Sequence, residues 1–262
     1  MSKTFCVAGR SLRQQAAADA LRAAGYRVVD ASDAAWADWV LFPAAQQRIN
    51  DETARILQAV RPGTLLLAGR PGAPLQRAAR EADLPLVDYF AYPELEALNA
   101  IPTAEGCLAL LLELRRRTVW ESRFLVLGYG RVARALAQRL VLLGAEVTVA
   151  ARSAEQRAEA RGAGCCAEPL DALPGCLPQF DTVINTIPAP VLPRALLQKL
   201  PRGALVVDLA SSPGGVDFAS AEQLGIRAQL ASALPGRYAP CTAGALTARA
   251  VLHLLQDRGE PV

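Results

Sequence analysis

A chain of 262 residues, 52% hydrophobic and 20% charged, has a core-forming composition and is long enough for two α/β halves of ordinary size. A net charge of +3, with arginines spread along the chain, argues against a nucleic-acid partner, and the apolar runs at 108–112 and 140–143 fall short of the roughly 20 residues that cross a bilayer. Six cysteines without C-x-x-C spacing and a single histidine, His253, argue against a metal site; no signal-like segment opens the chain, so a cytoplasmic protein with reduced thiols is expected.

In chain order, the apolar periodicity predicts a strand over 4–8, a helix over 13–24, strands over 27–30 and 39–42, and a helix over 53–59. A strand over 64–68, a helix over 74–82 and a short strand at 86–87 follow, with Gly25, Pro43, Pro62-Gly63, Pro71-Gly72 and Pro85 marking the breaks. This is a doubly wound parallel pattern without a dinucleotide fingerprint, because its first turn reads Gly9-Arg10-Ser11-Leu12-Arg13. A helix over 103–116 then links the halves, with Arg115–Arg117 as a solvated cationic last turn.

The stretch "FLVLGYGRVARALAQRLVLLGAEVTVAARS" (124–153) reads as strand, glycine turn, helix and strand. In Gly128-Tyr129-Gly130-Arg131-Val132-Ala133 the first glycine permits the turn, the second lets backbone approach a pyrophosphate, and Ala133 lets the helix pack closely on the strand. The helix N-terminus offers N–H groups to the phosphates. An NAD site asks for an acid at the end of the second strand; here stand Arg152 and Ser153, with Arg157 a turn later. A guanidinium there pairs with a 2′-phosphate, which favours NADP over NAD. Further strands are expected over 182–185, 204–209 and 226–229, and a final helix over 242–256. At the strand ends Asn185, Thr186, Ile187 and Pro188 are expected along the nicotinamide ribose, and Asp208, Leu209, Ala210, Ser211 and Ser212 beside the ring.

The expected architecture is therefore α/β, with two doubly wound parallel-sheet domains, the second a Rossmann dinucleotide-binding domain. Residues 1–100 form the substrate-side domain and 101–262 the NADP-binding domain, with a linking helix within 101–117 and a final helix over 240–257 in a position to pack back across the domain interface.

With these residues in hand, the sequence resembles the A-subunit family of bacterial dipicolinate synthases. The matching segments are "NAIPTAEG" (99–106), "VLGYGRVARALA" (126–137), "VAARS" (149–153), "INTIP" (184–188), "DLASSPGGVDFASAEQLGI" (208–226) and "LPGRYAPCTAG" (234–244). The first third matches less sharply; in "AGRSLRQ" (8–14) it lacks an acidic residue that family members tend to carry. The resemblance implies NADP-dependent oxidation of dihydrodipicolinate, or of hydroxy-tetrahydrodipicolinate, to pyridine-2,6-dicarboxylate. It also implies that the partner is a flavoprotein-like B subunit of dipicolinate synthase, in the mother cell of a spore-forming bacterium, and leaves a homo-oligomer open.

For a planar dicarboxylate substrate, Arg13 and Arg237 are the expected cation donors, with Thr103, Ser211, Ser212, Gly214 and Gly215 as hydrogen-bond donors. Aromatisation on loss of a hydride and a proton is downhill and asks mainly for positioning. If water must leave first, Glu105 or Tyr238 could carry the proton, and Glu105 could equally cap its helix. His253 and Cys241 are read as structural. A shikimate-type dehydrogenase would need a catalytic lysine, and none lies between Lys3 and Lys199. An NADP-binding scaffold for a catalytic partner is the other alternative.

Overall fold

Strands that are apolar at every position bury both faces of a sheet, and alternate residues then serve alternate faces. The structure, a computed structural model, describes residues 3–46 and 48–260, so the expected domain limits at 1 and 262 lie outside it. It divides into two units, Met1–Asn99 with Pro235–Val262, and Ala100–Leu234.

In the first unit β1 (Thr4–Val7), β2 (Arg27–Val29), β3 (Trp39–Ala44), β4 (Leu65–Gly69) and β5 (Leu86–Asp88) run parallel in the order β2-β1-β3-β4-β5. Phe5, Trp39, Leu41, Leu65 and Leu67 fill one face of this sheet, together with Leu21 of the first helix and Val251, Leu254 and Leu255 of the last. Cys6, Val40, Phe42, Leu66 and Ala68 fill the other, with Ile56, Leu75 and Ala79.

The last helix, Pro240–Asp257, is a correction to the sequence division, which counts it with the second domain: it belongs to the first unit. Small residues on its inner face explain why. Ala243, Gly244, Thr247 and Ala248 are buried against the helix Leu12–Ala23, and a Cβ at Gly244 would strike the carbonyl of Arg13, with Ala16 Cβ at 2.7 Å and Ala17 N at 2.8 Å. His253 completes the docking: its Nδ1 lies 2.7 Å from Glu94 Oε2, and Arg249 pairs with the same carboxylate at 3.0 Å. Gly244→Leu is therefore expected to destabilise the chain by about 2–3 kcal/mol, the range of an overpacked core. Thermal denaturation checks this, and an unchanged melting temperature would contradict the close crossing.

The second unit has β6 (Arg123–Leu127), β7 (Glu146–Ala150), β8 (Cys166–Glu168), β9 (Thr182–Asn185), β10 (Leu205–Asp208) and β11 (Arg227–Leu230), all parallel, in the order β11-β10-β9-β6-β7-β8. This is the doubly wound order of a dinucleotide-binding sheet, with its crossover point between β6 and β9. The architecture is thus two parallel-sheet α/β domains, the second of Rossmann type. β8 carries no apolar run, since Cys166 and Glu168 are exposed, and the sequence periodicity passes over it.

Helix Ala100–Arg115 opens this unit and starts before the expected residue 103, so Thr103 and Glu105 stand inside it and not at its cap. With the preceding short helix, Pro93–Leu98, it forms a run, Pro93–Arg115, whose length and hydropathy would suffice to cross a membrane; Pro102, Ala104, Cys107, Leu110 and Leu111 are buried. Arg115 also departs from the solvated role expected for it. Its side chain is 3% exposed, 3.3 Å from Asp181 Oδ1, with its guanidinium 4.6 Å from the centre of the Phe124 ring.

Candidate functional site

Gly128 leaves β6 at φ +89°, a conformation that suits glycine, and a Cβ there would meet Thr186 Oγ1 at 2.7 Å and Ile187 Cγ1 at 2.9 Å. Its N–H donates to Ala150 O at 2.8 Å, while the N–H and hydroxyl of Thr186 donate to Leu127 O at 3.0 and 2.7 Å. The turn is therefore fixed from both neighbouring strands. Gly130, in contrast, faces open space: an added Cβ would have nothing within 4 Å. It precedes helix Arg131–Leu142 without a side-chain cap, and no acidic residue stands in the first turn. The first-turn N–H groups of such a helix start have no intrahelical acceptor, and that end of the helix favours an anion. Ala133 is fully buried, as close packing of this helix requires. Tyr129 is 3% exposed and lies under the Arg134 guanidinium at 5.2 Å, so its side chain packs the turn and only its backbone can serve a cofactor.

At the end of β7, Arg152 is exposed and its guanidinium has no hydrogen bond or ion pair among the described residues. Ser153 caps helix Ala154–Gly162, accepting from Gln156 N–H at 3.4 Å, and keeps its hydroxyl hydrogen for a ligand. Arg157, expected as a cofactor contact, also acts as a buttress. Its Nη1 donates to the carbonyls of Ala151 and Arg152, both at 2.8 Å, and so fixes the strand end that carries Arg152.

Asn185 and Asp208 also take a different job from the expected one. Both are 0% exposed. Asn185 Nδ2 donates to Asp208 Oδ1 at 2.8 Å and to Ile187 O at 3.0 Å, and Asn185 Oδ1 accepts from Ile187 N–H at 3.0 Å. Asp208 accepts further from Ala210 N–H at 3.0 Å and from Gly215 N–H at 2.8 Å. The two side chains thus bind loops together inside the sheet edge, and a cofactor would meet the loops that they shape. The same bonds correct the donor roles expected of Gly214 and Gly215. Gly215 N–H is spent on Asp208, and Gly214 N–H on Ser211 O at 2.8 Å. Leu209 N–H is likewise spent on Asn185 O at 2.8 Å. Ser211, Ser212 and Pro188 are exposed, and Thr186 and Ile187 half-buried.

The expected substrate residues divide between the units. Thr103 and Glu105 lie in the second, where Glu105 Oε1 accepts from Arg139 Nη2 at 3.0 Å; its carboxylate joins two helices and caps none. Arg237 and Tyr238 lie in the first, in helix Leu234–Tyr238, with the guanidinium 4.8 Å from the centre of the phenol ring. Arg13, also in the first, donates from Nη2 to Thr247 Oγ1 at 3.0 Å, and burial pulls its pKa down. Sequence reasoning gave no role to a cavity of about 550 Å³ in this unit, lined by Val7, Gly9, Arg10, Asp30, Ala31, Ser32, Glu52 and Arg55. Among the described residues no group of three His, Cys, Asp or Glu side chains could hold a metal ion.

The thiols separate by burial. Cys6 and Cys107 are fully buried, Cys166 and Cys241 exposed. Burial pushes Cys107 up to about 12, and burial reinforced by Glu52, Asp30 and Asp33 does the same to Cys6. A folded value above the unfolded one favours the fold below the unfolded value of 9.0 and loses that contribution as pH rises towards about 12. Stability is expected to fall over that window by about 1.4 kcal/mol per pH unit for each thiol. Urea denaturation across it should show a shallower fall for Cys107→Ala; an identical slope would remove the thiol from the account.

A family model described as NADP oxidoreductase, coenzyme F420-dependent, matches residues 123–212. The chain is 37% identical over 193 residues to the A subunit of dipicolinate synthase from Bacillus subtilis (strain 168); the match covers 74% of this chain and 65%, just under two-thirds, of that relative. The crystal structure of the A subunit of dipicolinate synthase from Bacillus halodurans superposes with a TM-score of 0.88 at 28% identity, over 97% of each chain. That of the corresponding Bacillus subtilis protein gives 0.85, also at 28% identity, over 98% of this chain and 97% of that one.

Proposed function

We propose that this chain is an A subunit of the dipicolinate synthase kind, to which it is similar in sequence and fold, and that with its NADP-oxidoreductase type of Rossmann domain it oxidises dihydrodipicolinate, or the hydroxy-tetrahydro compound, to pyridine-2,6-dicarboxylate. The observation that carries the reading is the open glycine turn at Gly130 beside an exposed Arg152. An uncapped helix start takes a pyrophosphate, and a guanidinium without a protein partner takes a 2′-phosphate.

In this reading NADP lies across Gly128–Val132, with Arg152 and the Ser153 hydroxyl on its ribose phosphate. Thr186, Ile187 and Pro188 border its nicotinamide half, and when bound the nicotinamide accepts a hydride. Arg157, Asn185 and Asp208 act through the loops that they hold and are positioning residues. Arg13 and Arg237 bind the substrate carboxylates, and Thr103, Ser211 and Ser212 add neutral donors. Because Glu105 is committed to Arg139, Tyr238 is the better carrier of a proton where water leaves first. The partner is the flavoprotein-like B subunit of the synthase, and the setting is the cytoplasm of the mother cell during sporulation.

The test is to add the purified chain to enzymatically generated dihydrodipicolinate with NADP or NAD, with and without the flavoprotein-like partner, and to follow nicotinamide absorbance and dipicolinate together. Turnover by this chain alone, faster with NADP, is the expected result. Turnover that needs the flavoprotein-like partner, despite tight NADP binding here, would make the chain a scaffold or half of a site.

A further inference from the structure

The carboxyl end of β4 has a construction that the cofactor site does not explain. β4 closes with Gly69, where a Cβ would meet the Tyr89 ring at 2.6 Å and strike that of Phe90, so the glycine lets two aromatic rings rest on the strand end. The next residue, Arg70, adopts φ +49°, a left-handed backbone that non-glycine residues seldom hold. Asp88 secures it: one oxygen, Oδ1, accepts from both Arg70 N–H and Phe90 N–H, each at 2.8 Å. The result places the Arg70 guanidinium 5.1 Å from the centre of the Phe90 ring.

The Arg13 guanidinium lies at the same ring, 5.5 Å from its centre. No carboxylate pairs with it among the described residues; Thr247 is its hydrogen-bond partner, and its Nε is buried without one. An incoming anion would supply the acceptor that the Arg13 guanidinium lacks at its buried Nε. Residues 13 and 70 follow β1 and β4 of an open parallel sheet, whose carboxyl edge is where such sheets bind ligands. Arg70 and Phe90 are absent from the sequence candidates because neither belongs to a motif.

We propose that Arg13 and Arg70, both seated on Phe90, together recognise one carboxylate of the acid, with Arg237 left to the other. The inference rests on the dicarboxylate reading above only for the identity of the acid. Phe90 holds the two guanidiniums in place, Asp88 positions Arg70 through its backbone, and Thr247 positions Arg13.

The experiment is isothermal calorimetry on the full chain and on Arg70→Gln, with pyridine-2,6-dicarboxylate, malate and NADP as separate probes. The expected result is pyridine-2,6-dicarboxylate binding weakened about 10- to 100-fold by the loss of one charge-assisted contact, with NADP affinity unchanged. Arg70→Lys should recover part of the loss. Pyridine dicarboxylate binding equal to the parent chain would overturn the pair and leave the proposed reaction standing. Malate binding lost in Arg70→Gln, with no binding of the pyridine dicarboxylate by the parent, would keep the pair and reject that substrate. Binding of neither acid by the parent rejects both. Should Arg70→Gln not fold, Arg70→Gly relaxes the backbone, removes the same cation and carries the same expectation.

Discussion

Replacing Arg152 with Asp is expected to cost the chain about 100-fold or more in NADP affinity and to reverse its preference towards NAD. One guanidinium contact to a phosphate contributes about 1.5–3 kcal/mol. The substituted carboxylate then repels the phosphate as well, an effect that solvent reduces but does not cancel at an exposed strand end. Together these reach roughly 3 kcal/mol, or two powers of ten. The fold should not suffer, because Arg157 bonds to the carbonyls of Ala151 and Arg152 and not to the replaced side chain. Dissociation constants for both nucleotides, with a melting curve, check this. A parent chain that binds NAD as well as NADP would defeat the assignment of Arg152.

Asp208→Ala is expected to destabilise the second unit by about 3–5 kcal/mol, since it leaves three donors without their acceptor inside the sheet edge. Those donors are Asn185 Nδ2, Ala210 N–H and Gly215 N–H. For a chain of this size that lowers the melting temperature by about 10 °C. NADP binding should weaken with it, because the Ile187 and 210–215 segments lose their common anchor. Asp208→Asn is a milder change that retains one acceptor. A melting temperature equal to the parent's for Asp208→Ala would mean that the network is ornamental to stability. Unchanged NADP affinity alongside a lowered melting temperature would confine Asp208 to folding.

Local pattern carried much of this into the sequence. Apolar runs between glycine and proline breaks marked the central strands, and G-x-G-x-x-A marked the turn between β6 and the helix that follows it. Arg152 stands out in the sequence because the acid expected at that strand end is replaced by its opposite. What stayed hidden depends on partners distant along the chain. Asn185 and Asp208 sit where polar strand ends read as ligand contacts, and only their meeting across 23 positions shows them facing inward. Glu105 reads as a cap until Arg139, 34 positions on, claims its carboxylate. Arg70 and Phe90 share a ring contact that no spacing rule links. The last helix follows the second domain in sequence, yet its small-residue face fits the first helix, at the opposite end of the chain.

That last placement bears on how the polypeptide matures during translation. Residues Ala100–Leu234 are complete as a folding unit while the first sheet still lacks its closing helix. Until Val251, Leu254 and Leu255 leave the ribosome, the face holding Phe5, Trp39, Leu41, Leu65 and Leu67 stands partly uncovered. The unit that begins first therefore finishes last, and its bare apolar face is the part of the nascent chain that chaperones would have to guard.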